Sequence, residues 1–173
     1  MRIHGTKHLG PGDYNHNGPR GRFDHHDAIS PPVNDPAHGI YYAADNLKGC
    51  IIEVFGDTGV IEPAGYGVAV VEPTRDLTLL DLTGDRAWHA GTIAAITKDA
   101  DRTASQAWAR FFYTTYRSLD GISYGNAHDD AAAYALFERA GHLNIVEHKL
   151  LADPDLDAEL KDLAITLNML LVT

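Results

Sequence analysis

The chain reads as an α+β protein in which mixed, largely antiparallel sheets are split around a cleft and helices pack outside. Two observations lead there. Short β-rich runs broken by Pro63, Gly65 and Pro73 fill residues 58–83, and helix-like patterns come in separate blocks without the regular strand–helix alternation of a doubly wound sheet. With 173 residues the chain suits one domain over residues 1–173, long enough to bury a substantial core without staples.

In chain order, Arg2-Ile3-His4 reads as an opening strand, and the stretch to residue 27, rich in Gly, His and Asn, as a long ordered loop of the kind that carries function. Pro31, Pro32 and Pro36 make residues 28–38 an irregular crossing to a strand at Ile40–Ala43. A helix follows. Asp45 is its expected N-cap, and Leu47, Cys50, Ile51, Val54 and Phe55 recur at the spacing of one buried helical face, closed by Gly56 as a C′ residue. Glu53 sits at the edge of that face with small Gly49 and Cys50 one turn before it, which leaves the carboxylate half sheltered with open space on its N-terminal side. An isolated carboxylate is costly to desolvate, so Glu53 either points to water or meets a cation.

Val60-Ile61, Gly67–Val71 and Leu77–Leu82 read as short strands. Trp88–Thr97 suggests a short helix. Asp101 or Thr103 caps a longer one to about Tyr116, whose Trp108, Phe111, Phe112 and Tyr116 have the spacing of a core stripe. Gly121–Asn126 is expected to be a strand ending in a loop. Asp129–Arg139 fits a helix by its alanines or a strand over Tyr134–Phe137, and the strand is favoured. Ile145–Leu151 as a strand, Asp153 to about Leu163 as a helix, and Ile165–Val172 closing the sheet complete the chain.

A net charge of −10, from 24 acidic and 14 basic side chains, opposes attraction to nucleic acid or an anionic membrane surface. Any anionic substrate must be held by a local cluster. Arg20 and Arg22, backed by Lys7, His25 and His26, form the densest one, and a planar guanidinium in a glycine-rich loop suits bidentate contact with phosphate. The single cysteine, Cys50, is expected to be a buried inert thiol in a reducing cytoplasm. No apolar run approaches the ~20 residues that span a bilayer, and Met1–Gly5 has no apolar signal region, so a soluble, unexported protein is expected.

Motifs for Rossmann dinucleotide binding, P-loops, zinc proteases and serine hydrolase elbows are absent. Six of the ten histidines, His4, His8, His16, His25, His26 and His38, fall in the first 38 residues. A metal site would need several of them to converge with a carboxylate such as Asp24 or Asp27, and none is expected.

Gly21-Arg22-Phe23-Asp24, then Ile40-Tyr41-Tyr42-Ala43-Ala44, then a helix carrying Glu53 resembles the Arg-Glu-Ser (RES) domain, the toxin of a bacterial toxin–antitoxin class that consumes NAD. The resemblance extends over nearly the whole chain, through Asp81-Leu82-Thr83-Gly84 and Leu119-Asp120-Gly121-Ile122. It implies a fold similar to that of ADP-ribosylating toxins and places the family's Arg on Arg22, its strand Tyr on Tyr41 and its Glu on Glu53; Arg20, from the basic cluster, is expected as a further substrate contact. Where the family has Ser in a Tyr-x-Ser run, this chain has Tyr124-Gly125-Asn126, so Asn126 takes that place; an odd shift of the strand would bring Ser123 there instead.

The resemblance implies cleavage of the nicotinamide–ribose bond of NAD as substrate, with water or inorganic phosphate as acceptor. It also implies silencing by a helix-turn-helix (Xre-like) antitoxin and a homodimer within that complex. Glu53 would complement charge developing on the ribose, Tyr41 would pack on the nicotinamide or its ribose, and Asn126 would hold the ribose or carboxamide. A catalytically silent RES-like binding module and an ADP-ribosyltransferase acting on a protein are the alternatives.

Overall fold

The computed structural model describes the chain except residues 8, 99–100, 127–129 and 173 and the side chains of residues 94–95. His8 and Asp129 therefore lie outside the described residues. In chain order the elements are β1 (Arg2–Gly5), β2 (Asn17–Gly18), β3 (Val33–Asn34), β4 (Ile40–Ala44), α1 (Leu47–Phe55), β5 (Val60–Ile61), β6 (Tyr66–Pro73), β7 (Leu79–Asp81), α2 (Arg86–His89), α3 (Thr103–Thr115), β8 (Gly121–Gly125), β9 (Ala132–Phe137), β10 (Leu143–Leu150), α4 (Asp157–Thr166) and β11 (Leu170–Leu171).

Two sheets carry the architecture. One is antiparallel, in the order β1-β6-β10; the other, β4-β9-β8-β7, is antiparallel except for the parallel β7–β8 pair. The expected α+β arrangement is the one observed. Ala132–Phe137 forms a strand inside the second sheet, paired on both sides. Cross-strand hydrogen bonds there outweigh the helical preference of its alanines.

Alternation along the strands sorts side chains into three cores. Ile40, Ala133, Ala135, Phe137, Ile122 and Tyr124 face the layer of α2 and α3 with Phe112 and Leu82. Tyr41, Leu136 and Leu143 face the opposite side, where Val71 and Leu79 pack against them. Helix α1 fills the third core, with Ile51 and Phe55 against Ile3 and Val68 of the first sheet and Leu160 of α4. Burying a Leu, Ile or Phe side chain there contributes roughly 1.5–3 kcal/mol each.

Helix termini differ from the expected ones for local reasons. Asn46, not Asp45, caps α1: its backbone is extended, and its side chain accepts from the Gly49 N–H at 2.9 Å. Asp45 instead accepts from the Tyr134 hydroxyl at 2.7 Å, tying the helix start to β9. Gly56 stays right-handed at φ −58°, and the left-handed turn falls at Gly59, φ +67°, whose N–H reaches the Phe55 carbonyl. Gly49 is small because of β4, since a Cβ there would lie 2.8 Å from the Ala44 methyl.

The segment Trp88–Thr97 splits into α2 and a 3-10 turn at Ala94–Thr97, separated by left-handed Gly91. Near the C-terminus α4 runs on through Ile165 until Asn168 turns left-handed at φ +52°. Only Leu170–Leu171 remains as strand, parallel to β5. The aromatic stripe expected along α3 is divided as well: Phe112 is buried and Trp108 half-buried, whereas Phe111, about 100° round the helix from Phe112, and Tyr116, which follows the last helical residue, are about half exposed.

Candidate active site

Arg22, in the loop between β2 and β3, and Glu53, on α1, line one cavity of about 260 Å³ together with Tyr42 of β4 and Arg102 at the start of α3. Glu53 opens towards this cavity, and its Oε2 accepts a 2.9 Å hydrogen bond from the Tyr124 hydroxyl of β8. Crowding by the cavity walls pushes its carboxyl above the ordinary glutamate value; the Tyr124 bond and the fields of Arg22 and Arg102 pull the other way. Tyr124 is itself held well above the usual tyrosine value, first by burial and then by Glu53, so it stays a donor. A carboxylate thus shares one recess with Arg22 and Arg102, and the walls combine apolar Ile3, Ile40 and Val54 with polar Arg2, Asn15 and Asp57.

Arg102 is aimed by two partners. Its guanidinium donates to the Arg20 carbonyl and to Asp57 at the end of α1, both at 2.9 Å. Its contribution to this cleft has no counterpart in the sequence reading, because Arg102 sits 82 residues from Arg20 and is flanked by unremarkable helix-start residues.

The five sequence-assigned residues are placed unequally. Arg22 and Glu53 meet in the cavity. Tyr41 does not: strand alternation turns it to the other side of β4, where it is fully buried, donates to the Pro11 carbonyl at 2.9 Å and lies under the Arg2 guanidinium at 4.2 Å. Tyr42 takes the cleft-facing position in its stead. Arg20 is exposed and turned outward, with Nη2 on the Asn17 side chain at 3.2 Å; only its backbone belongs to the cleft loop. Asn126 is buried directly after β8, two residues on from Tyr124, so pleating sets it on the same face of the sheet. Ser123 pairs with Tyr134 and faces the opposite side, which excludes it from the Asn126 position.

The histidines serve the scaffold around this loop. Burial lowers the His25 pKa, so at neutral pH its neutral ring donates Nε2–H to Glu138 at 2.9 Å, a hydrogen bond rather than an ion pair. Burial works against ionisation of Glu138, but the donors His25, Tyr113 and the Gly39 N–H hold it down at about 2. His26 is fully buried, and among the described residues neither ring nitrogen has a hydrogen-bond partner. Lys7 stays at the surface. Among the described residues Asp27, Asp35 and His38 bring ligand-type atoms within 4.8 Å of one another. Internal bonds account for this cluster, since Asp35 accepts from His38 Nδ1 and from the backbone N–H groups of Asp27 and Ala37. Cys50 is buried and its thiol is pushed up to about 11, first by desolvation.

The sequence profile of the RES domain matches residues 1–160. The chain belongs to the RES domain family. No curated protein matches the sequence significantly. Among solved structures, this RES domain is similar to a chain of the crystal structure of the M. tuberculosis MbcT–MbcA toxin–antitoxin complex. The TM-score is 0.67 and the identity 19%, over 93% of this chain and 87% of that one. At that identity the likeness concerns the fold. Among the described residues no helix is long and apolar enough to cross a membrane.

Proposed function

We propose that this RES domain is the toxin of a toxin–antitoxin pair and that it cleaves NAD between nicotinamide and ribose. The observation that carries the reading is the convergence of Glu53, held by Tyr124, with Arg22 and Arg102 in one cavity. At about 260 Å³ the cavity suits the nicotinamide–ribose end, below the ~300–1,000 Å³ usual for sites enclosing a larger ligand. The pyrophosphate then extends past Arg22 and Arg102, which line the same cavity and whose planar guanidinium groups can take phosphate oxygens pairwise.

Breaking the glycosidic C–N bond sends its electron pair to nicotinamide, which leaves neutral, and develops positive charge on the ribose. A carboxylate fixed beside the anomeric carbon favours that state, and no strong general acid is needed. Glu53 supplies the anion, Tyr42 lines the pocket where Tyr41 does not reach, and Asn126 holds the ribose or carboxamide. An oxygen of water or inorganic phosphate then bonds to the anomeric carbon, and water gives up its proton in doing so. The fold likeness to a toxin–antitoxin complex supports a protein partner that silences the enzyme, expected to be a helix-turn-helix antitoxin.

Asn126 in place of the family serine favours a second reading, a silent module that binds a nucleotide without cleaving it. One assay separates them. Purified protein incubated with NAD should release free nicotinamide, and dependence of the rate and product on added phosphate identifies the acceptor. NAD that stays intact with the parent protein but is cleaved by Asn126→Ser decides for the silent module.

A further inference from the structure

We propose that Asp24 is the positioning residue of the cleft: with Tyr42 it fixes the Arg20–Phe23 loop and so aims the Arg22 guanidinium at the pyrophosphate of the substrate. This inference rests on the NAD reading above. Asp24 is fully buried. Its Oδ2 accepts from the backbone N–H groups of Arg20 at 2.6 Å and Gly21 at 2.9 Å, and its Oδ1 accepts from the Tyr42 hydroxyl at 2.7 Å. That hydroxyl in turn accepts the Phe23 N–H at 2.9 Å. One carboxylate and one phenol therefore hold the amides of Arg20, Gly21 and Phe23, the residues on either side of Arg22.

The carbonyls of the same loop are taken by α3. Arg102 donates to the Arg20 carbonyl at 2.9 Å and Gln106 to the Gly21 carbonyl at 3.0 Å. The loop thus has its polar groups paired on two sides, as a buried irregular segment requires. Space is as tight as the bonding: a Cβ on Gly21 would lie 2.4 Å from the Tyr42 hydroxyl and 2.7 Å from Asp24 Oδ1. Phe23 packs on the ring of Tyr124 at 4.8 Å, so the loop that presents Arg22 is seated on the residue that orients Glu53. Charge and bond count both single out a carboxylate here, because three donors converge on it and an amide would meet at least one of them with a donor of its own.

A double-mutant cycle tests this. Titration calorimetry with NAD and with ADP-ribose is run on the parent protein, Asp24→Asn, Tyr42→Phe, Arg22→Ala and the two double variants, with folding checked by thermal melting. Asp24→Asn is expected to raise the NAD dissociation constant about tenfold and Tyr42→Phe several-fold. Either change made in Arg22→Ala should add less than about twofold, because the residue through which it acts is gone. Amide exchange at Arg20 and Gly21 should quicken in Asp24→Asn. Equal factors with and without Arg22, in folded proteins, would overturn the assignment. Should Asp24→Asn not fold, Tyr42→Phe, which keeps its ring in the core, carries the same cycle. Parent protein that binds NAD but releases no nicotinamide overturns the cleavage reading while the binding cycle still decides on Asp24; absence of NAD and ADP-ribose binding overturns both.

Discussion

Glu53 is useful only as an anion placed beside developing positive charge, and its surroundings make that a compromise. The cavity walls raise its carboxyl pKa, while Arg22 and Arg102 lower it. Nicotinamide release should therefore fall on acidification with a midpoint above the ordinary glutamate value of 4.5. Glu53→Gln removes the charge at nearly constant shape, so NAD binding should persist while turnover drops ~10²-fold or more, the scale of one preorganised group. Turnover at the parent rate would return Glu53 to a plain helix-flank role. At Arg22, lysine keeps the charge and loses the planar fork; NAD binding should weaken by about 1–3 kcal/mol, read from its dissociation constant. Arg22 and Glu53 were legible because local chemistry marks them, an arginine directly after a glycine in a Gly-Arg-Phe-Asp run and a lone carboxylate beside an apolar stripe. Tyr41 and Tyr42 were not separable, since two adjacent identical residues on a strand carry no hint of which one faces the cleft. Tyr124 lies 71 residues from its partner Glu53, a relation that only the fold expresses.

Among the elements, α1 and β4 are bound together most closely at Gly49. Read along the sequence, its smallness suggested open room beside Glu53. In the folded chain that room is occupied by the Ala44 methyl, at 2.8 Å from where a Cβ would stand. Alanine would improve helix propensity by up to about 1 kcal/mol, but a methyl has no rotamer with which to escape the strand, and overpacking costs about 1–3 kcal/mol. The clash should win. Gly49→Ala is expected to lower the urea midpoint with an unchanged slope, and equal or higher stability would show that the helix can lift off the strand. Element existence was legible wherever periodicity was strong, as in α1 and α3. Termini were less so, because the choice between Asp45 and Asn46 as cap depends on Tyr134, which claims the aspartate from a distant strand. The end of α4 depends on Asn168 adopting a left-handed turn, a capacity that the sequence offers without announcing it.

At the scale of the whole molecule, the histidines of the N-terminal third set how the fold responds to acid. His4, His25 and His26 are buried, and desolvation lowers the pKa of each below the ordinary 6.5. In the folded chain they stay neutral where the unfolded chain would protonate them, so below about pH 6.5 the unfolded state binds more protons and is favoured. Each group can withdraw up to about 1.4 kcal/mol per pH unit until its own folded pKa is reached. The carboxylates Glu138, Asp24 and Asp35 face these rings and moderate the effect without reversing its direction. Glu138 adds a second loss further down: held at about 2 in the fold against an ordinary 4.5, it contributes stability that is complete above about 4.5 and disappears as pH falls towards 2. Glu53, raised in the fold, acts in the opposite sense but is a single group open to the cavity. Urea midpoints measured from pH 7.5 to 5 should therefore decline steadily, with the decline beginning near 6.5 rather than near the carboxylate range. A midpoint that holds constant down to pH 5 would mean that these rings are charged in the folded protein, and the neutral hydrogen bond from His25 to Glu138 would have to be replaced by an ion pair.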